Sequence, residues 1–362
     1  MRIVFLADRS IIHTKRFTDY FTAHGHDAHL ITFEEGFPVN CTVHRLEHSA
    51  GPVLLAYLLC RNKVTELLGR LKPDLVNAQH ISSYGNLMAM IPWHPWVATS
   101  LGSDTLILPD RGVFPRRRNI WALNRADLIT AMSDYMRDRI VSFGIPRSKI
   151  VVSCFGIDTT IFHPRGRREH QPGEPWRIVC TRHLEPVYDH ATILEACRLL
   201  ATAGFDFVLY LVGKGSLYES LEKASQQPDL AGRIVLLGAL SQQEVAKHLR
   251  QADLFVTASH SDGANISLLE AMACGAFPVA SDIPANRQWG EHGKSMLRFP
   301  VGDASALAQQ ILQPTTSPKL VESARTLNYR TVAERGTIVK NMGLLEQKFM
   351  ELADKFKRRK IG

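Results

Sequence analysis

The densest cluster of residues able to do chemistry is Ser259-His260-Ser261-Asp262-Gly263-Ala264-Asn265-Ile266-Ser267-Leu268-Leu269-Glu270-Ala271-Met272-Ala273-Cys274-Gly275. A strand pattern ends near Ala258, a small polar loop follows, and a helical pattern begins near Asn265 or Ile266. The first turn of a helix offers unpaired N–H groups and a partial positive charge, which suits a phosphate. Asp262 and Glu270 bracket that loop and turn, so that one carboxylate can reach each end of an elongated ligand and accept hydrogen bonds from its hydroxyls. Taken as bare acids, they read more simply as a helix cap and an ordinary helical residue.

The surrounding pattern must hold this cluster in place. Short apolar runs alternate with amphipathic stretches: Ile3 to Ala7, Phe17 to Ala23, Ala28 to Thr32, Leu54 to Leu71, Leu75 to Ala78. Trp96 to Thr99, Leu128 to Ala131 and Ile150 to Ser153 continue the strands, with a helix over Asp134 to Phe143. Such alternation predicts βαβ units on a parallel sheet. Gly25, within His24-Gly25-His26, reads as the residue that stops a helix, and this favours a turn over a metal set made of His24, His26 and His29. The run 165–176, charged and holding two prolines, reads as a linker. The pattern then restarts with strands at Arg177 to Cys180, Phe207 to Val212, Ile234 to Leu237, Leu254 to Thr257, Ala276 to Ala280 and Leu297 to Phe299. The expected domains are 1–164 and 177–342, with a final helix, about 343–362, returning to the first.

A chain of 362 residues, 45% hydrophobic and 22% charged, is long enough for two cores and unlike a disordered or fibrous sequence. No run approaches the roughly 18 apolar residues of a membrane span. The opening Met1 to Asp8 is too short in apolar residues for a signal-peptide core and reads as a first strand. Six cysteines without CxxC pairing argue against a disulfide framework or zinc site and for a reducing cytoplasm. The formal charge of +8 is compatible with an anionic partner. No nucleic-acid-binding module is recognisable.

Asp262-x7-Glu270 followed by Ala271-Met272-Ala273-Cys274-Gly275-Ala276-Phe277-Pro278-Val279-Ala280-Ser281-Asp282 resembles the signature of the family 4 retaining glycosyltransferases, with Asp262 standing for the first glutamate of an E-x7-E pair. Other segments resemble the family in the same order: Cys154-Phe155-Gly156-Ile157-Asp158 with Phe162 and Pro164, the Gly213-Lys214-Gly215 loop, Leu237-Gly238-Ala239-Leu240, and Gly302-Asp303 with Leu307. The resemblance implies an α/β GT-B fold, in which two Rossmann-like domains with parallel sheets face each other across a cleft. It also implies a nucleotide-sugar donor on the second domain and an acceptor on the first.

Carried onto this sequence, the resemblance assigns Glu270 to the donor ribose and Asp262 to the hydroxyls of the transferred sugar. The backbone of Gly263, Ala264, Asn265, Ile266 and Ser267 would hold phosphate and sugar oxygens, and Gly238, Ala239 and Leu240 would frame the base. Arg182 would neutralise the departing diphosphate, where a fixed cation stabilises the charge that grows as the glycosidic bond breaks. The family's lysine a few residues later has no counterpart. Tyr188 stands near its place, and Lys214 is the candidate second cation.

The first domain opens with Asp8-Arg9-Ser10-Ile11-Ile12-His13-Thr14-Lys15-Arg16, which resembles a polysaccharide-assembly branch of the family. Ser10, His13 and His80 are expected at strand ends facing the acceptor. Leu101 replaces the family histidine, and Asp104 is expected to orient the acceptor or receive its proton. Arg111 to Arg118, with Phe114 and Trp121, reads as a solvated loop whose cations and aromatics also suit an anionic lipid surface or a polyprenyl phosphate. The implied function is metal-independent transfer of a sugar, with no resident cofactor, from a UDP-sugar to a glycan or lipid-linked hydroxyl. A sugar-nucleotide epimerase and a catalytically silent nucleotide-sugar-binding scaffold stand as alternatives.

Overall fold

The computed structural model describes residues 1–47 and 53–361, with the side chains of 53–58 and 360–361 left aside. The chain divides into two compact units. The first is Met1–Cys154 with Asn341–Gly362, and the second is Phe155–Lys340.

Among the described residues the first unit holds seven parallel strands: β1 Arg2–Leu6, β2 Asp27–Thr32, β3 Thr42–Arg45, β4 Leu75–Gln79, β5 Trp96–Thr99, β6 Leu128–Ala131 and β7 Ile150–Val152. Their order is β3-β2-β1-β4-β5-β6-β7. β1, β4 and β5 are buried almost throughout because helices cover both faces of a parallel sheet. The helix Ile12–Ala23 buries Thr14, Phe17, Thr18 and Phe21, one stripe at helical spacing. It ends where Gly25 takes φ +78°, with N–H groups of Gly25 and His26 closing on the carbonyls of Thr22 and Phe21, each at 3.1 Å. Beyond it, His26 Nε2 meets Glu346 Oε1 at 2.7 Å, and His29 Nδ1 meets His44 Nε2 at 3.1 Å.

The second unit holds six parallel strands: β8 Trp176–Cys180, β9 Phe207–Val212, β10 Ile234–Gly238, β11 Leu254–Thr257, β12 Phe277–Ser281 and β13 Leu297–Phe299. Their order, β10-β9-β8-β11-β12-β13, is that of a dinucleotide-binding sheet. Each unit is therefore a Rossmann-like α/β sheet, as the sequence pattern predicts. The charged run 165–176 lies in the second unit and is tied to its sheet. Arg168 Nη1 reaches both oxygens of the buried Asp253 at 3.1 and 3.2 Å, and His170 stacks on Trp176 at 4.2 Å.

The final helix runs from Ile338 to Ile361. From Asn341 onward it packs on the first unit, where Phe349 stacks on Phe21 and Glu346 accepts from Tyr20 at 3.0 Å. Residues 113–118, expected in a loop, instead begin the helix Val113–Arg125. Pro115 lies in its first turn, where a missing N–H costs nothing. Among the described residues, no helix is long and apolar enough to cross a membrane.

Candidate functional site

In an open parallel sheet the ligand crevice forms beyond the carboxyl ends of the strands where strand order reverses. In the second unit that point lies between β8 and β11, which pair through Leu254 with Ile178 and Phe255 with Val179. Past β8 the chain continues into Thr181 and Arg182, and past β11 into Ser259 to Asp262.

Arg182 is buried, at 8% exposure, and holds this end of the sheet together. Its Nη2 forms an ion pair with Asp262 Oδ2, and its Nη1 donates to Asn265 Oδ1 at 3.0 Å and Ser267 Oγ at 3.4 Å. Ser267 Oγ in turn donates to the carbonyl of Thr181 at 2.9 Å. Burial disfavours the Arg182 cation, but Asp262 first, and then Tyr188, Cys180 and Glu270, more than restore it, so its pKa lies above the usual arginine value.

Asp262 Oδ1 accepts the N–H groups of Ala264 at 3.3 Å and Asn265 at 3.1 Å, folding the Gly263 loop back on itself. Asn265 takes φ +47°, a conformation asparagine tolerates, and caps the helix Ile266–Cys274 by accepting from Leu268 N–H at 3.2 Å. Its amide donates to Asn286 Oδ1 at 2.7 Å. Trp289 Nε1 donates to the carbonyl of Ala264 at 2.5 Å. Asn286 and Trp289 are supports that the sequence reading missed. Only the Ala280-Ser281-Asp282 string upstream of them hinted that this stretch matters. Glu270 is buried within the helix, at 7% exposure.

The Gly213-Lys214-Gly215 loop is laced to the segment that follows Arg182. Leu184 N–H donates to the Lys214 carbonyl at 2.9 Å, and Gly213 N–H donates to the Gly238 carbonyl at 2.8 Å. A Cβ on Gly213 would lie 2.4 Å from the Arg182 carbonyl oxygen, so only glycine permits this approach. The structure thus brings together Arg182, Tyr188, Asp262, Asn265 and Ser267 through side chains, and Lys214 and Gly238 through backbone. The Lys214 ammonium is exposed and makes no hydrogen bond or ion pair to this cluster among the described residues. Ala239 is exposed and Leu240 half-buried, just past β10.

In the first unit the corresponding reversal lies between β1 and β4, which pair through Leu6 and Ala78. Ser10, His13 and His80 all follow these strand ends. Ser10 is exposed and its N–H donates to Asp8 Oδ1 at 2.7 Å, while His13 is half-buried in the first turn of its helix. His80 sits at φ +65°, where a wide π-type turn begins, with Nδ1 2.9 Å from Ser83 Oγ and Nε2 3.5 Å from Ser103 Oγ. Strained backbone and π-type turns both gather at functional sites.

Asp104 is 1% exposed. Its carboxylate accepts from Ile81 N–H at 2.7 Å, Gly102 N–H at 2.9 Å, Ser100 Oγ at 3.0 Å and Leu101 N–H at 3.1 Å. Both oxygens are therefore occupied by groups of the β4 and β5 loops. Glu34, which sequence reasoning missed, follows β2. Burial pushes its carboxyl up while the hydrogen bond from the buried Tyr84 hydroxyl opposes the shift. Among the described residues no group of three potential metal ligands converges.

Residues 165–330 match the family model described as Glycosyl transferases group 1, and residues 2–133 match that described as Glycosyl transferase 4-like. The amylovoran biosynthesis glycosyltransferase AmsK of Erwinia amylovora is 32% identical over 194 residues, 52% of this chain and 47% of AmsK. The putative colanic acid biosynthesis glycosyltransferase WcaL of Escherichia coli K12 is 34% identical over 194 residues, 52% of this chain and 47% of WcaL. The chain spans about half the length of the curated relatives it matches. The crystal structure of Anabaena HepE in complex with UDP-glucose superposes with a TM-score of 0.81 at 18% identity, covering 97% of this chain and all of HepE. With a family model matched in each half and this architecture in common, the chain belongs to the group 1, family 4-like glycosyltransferases of GT-B fold.

Proposed function

We propose that this chain is a retaining glycosyltransferase that moves a sugar from a nucleoside diphosphate donor, UDP-linked, to a hydroxyl of a glycan or lipid-linked acceptor in polysaccharide assembly. The observation that carries the reading is the buried Arg182 at the β8/β11 reversal, beside Asp262 and the capped start of the helix Ile266–Cys274. A cation and a helix N-terminus at one strand end form a place for a diphosphate. The printed functions of AmsK and WcaL favour polysaccharide assembly, and the UDP-glucose held by HepE favours a UDP donor.

In this reading Glu270 takes the ribose hydroxyls, Asp262 the sugar hydroxyls, and the backbone from Gly263 to Ser267 the phosphate and sugar oxygens. Gly238, Ala239 and Leu240 border the base, and the exposed Lys214 supplies a second cation. The acceptor oxygen forms a bond to the anomeric carbon as its bond to the phosphate oxygen breaks, and the acceptor proton passes to that departing oxygen. Arg182 stabilises the charge the diphosphate gains. Ser10, His13 and His80 bind the acceptor, and Asp104 braces the loops around it instead of taking a proton. The reaction is placed in the cytoplasm, where nucleotide sugars are made. The cations and exposed aromatics of the helix Val113–Arg125 make contact with an anionic membrane.

The test is thermal stabilisation of the purified protein across UDP-, GDP- and ADP-sugars, because a ligand that binds only the native state raises its stability. Stabilisation by one donor, lost in Glu270→Ala, supports the reading. No stabilisation by any donor overturns it.

A further inference from the structure

Arg182 Cζ lies over the Tyr188 ring, 4.2 Å from its centroid. Within the plane of the guanidinium, Nη1 and Nη2 are directed to Asn265, Ser267 and Asp262, while the buried Nε–H has no acceptor among the described residues. These two kinds of contact use different parts of the cation. An aromatic face meets the plane, whereas oxygen acceptors line up with N–H bonds within it. An incoming diphosphate therefore competes with Asp262 for the edge of Arg182 but not with Tyr188 for its face.

The backbone that carries the ring is well held. It closes the tight turn Pro186–Tyr188, with Tyr188 N–H donating to the Glu185 carbonyl at 3.0 Å. The next residue, Asp189, sits at φ +46°, caps the following helix through Thr192 N–H at 3.2 Å and has Oδ2 3.1 Å from His260 Nε2. His260 N–H also donates to the Val187 carbonyl at 2.9 Å. Nearby His190 is wholly buried, and its burial, reinforced by the Arg182 charge, pushes its pKa down to about 4. It remains neutral and puts no second cation beside the first.

We propose that Tyr188 is a positioning residue that fixes the plane of Arg182, so that its N–H edge stays directed at a bound diphosphate while Asp262 turns to the sugar. The proposal rests on the donor-site reading above and adds a role for a residue that stands near the place of the family lysine. Tyr188 acts through Arg182 and not by touching the nucleotide.

Calorimetric titration of UDP and GDP into the wild type, Arg182→Ala, Tyr188→Phe and Tyr188→Leu separates the two claims. The expected result is binding of one nucleotide, lost in Arg182→Ala, about tenfold weaker in Tyr188→Leu and within twofold of wild type in Tyr188→Phe, which keeps the aromatic face. Binding that depends on Arg182 but is unchanged in Tyr188→Leu overturns the role of Tyr188 and leaves the donor site standing. Absence of binding by the wild type overturns both. A second readout needs no ligand and covers the case in which Tyr188→Leu fails to fold. The Nε–Hε proton signal of Arg182, identified by its loss in Arg182→Lys, should be shifted upfield by the ring in the wild type and in Tyr188→Phe. A signal at the position of a free arginine overturns the proposal.

Discussion

Arg182 and Asp262 form an ion pair that joins the segments leaving β8 and β11, the two strands on either side of the chain reversal in the second sheet. The side chains are 9% and 14% exposed, so each charge relies on the other in place of water. Arg182→Met should leave Asp262 unpaired and cost on the order of 2–3 kcal/mol, below the full range for wholly buried pairs. The double variant Arg182→Met, Asp262→Asn should recover part of that loss, as measured by chemical denaturation. A loss in the double variant equal to the sum of the losses in Arg182→Met and Asp262→Asn alone would show that the pair carries no coupling.

Asn265 offers a cleaner probe of charge. Asparagine and aspartate both tolerate its φ of +47° and both cap a helix, so Asn265→Asp should keep the cap, at the cost of the hydrogen bond that the Asn265 amide donates to Asn286 Oδ1. It would add a second carboxylate against Arg182 and repel a diphosphate. Nucleotide affinity should fall about tenfold or more, equivalent to roughly 1.4 kcal/mol, and the melting temperature should drop with the lost Asn286 contact. Unchanged affinity would remove Arg182 from the diphosphate site.

Gly213 and Gly232 separate steric need from conformational preference. Both have positive φ, +152° and +76°, but a Cβ on Gly232 meets nothing within 4 Å while one on Gly213 strikes the Arg182 backbone. Gly232→Ala should cost about 1 kcal/mol for its backbone conformation alone. Gly213→Ala should cost clearly more and weaken nucleotide binding, since the segment carrying Arg182 must shift. Equal melting temperatures for the two variants would contradict this.

The final helix should respond to acid. Burial pushes the Glu346 carboxyl up, but hydrogen bonds with His26 and Tyr20 outweigh it and hold the pKa below the ordinary glutamate range. A carboxyl lowered in the folded state stabilises fully above its unfolded value. That stability is lost as pH falls through the lowered one. Amide protection along residues 341–359, taken as exchange relative to the intrinsic rate at each pH, should therefore fall under acid in the wild type and show a weaker pH dependence in Glu346→Gln.

Much of this arrangement is legible in the residues themselves. Ile3 to Ala7 and Leu254 to Val256 are continuous apolar runs, Gly25 marks a helix end, and the Asp262 to Asp282 string marks the loop and helix at the second reversal. What escaped the sequence reading did so for physical reasons. β3 is a four-residue, half-exposed edge strand with no alternation strong enough to read. The helix Val113–Arg125 opens with a proline and three arginines, a composition that resembles a loop unless the first-turn tolerance for proline is weighed. Asp104 carries no local sign that its carboxylate is enclosed, because its donors come from Ile81 and Ser100 to Gly102. Likewise, nothing in the spacing of Asn265 and Asn286 announces that their amides meet.

The chain leaves the first unit after Cys154 and re-enters it at Asn341. On the ribosome, therefore, the second unit is synthesised in full before the segment bearing Glu346 and Phe349 emerges. The unit begun first is completed last, and its Phe21 face waits uncovered while some two hundred residues are added. A stop codon shortly after position 340 would thus damage the amino-terminal half of the molecule and spare the half beside it.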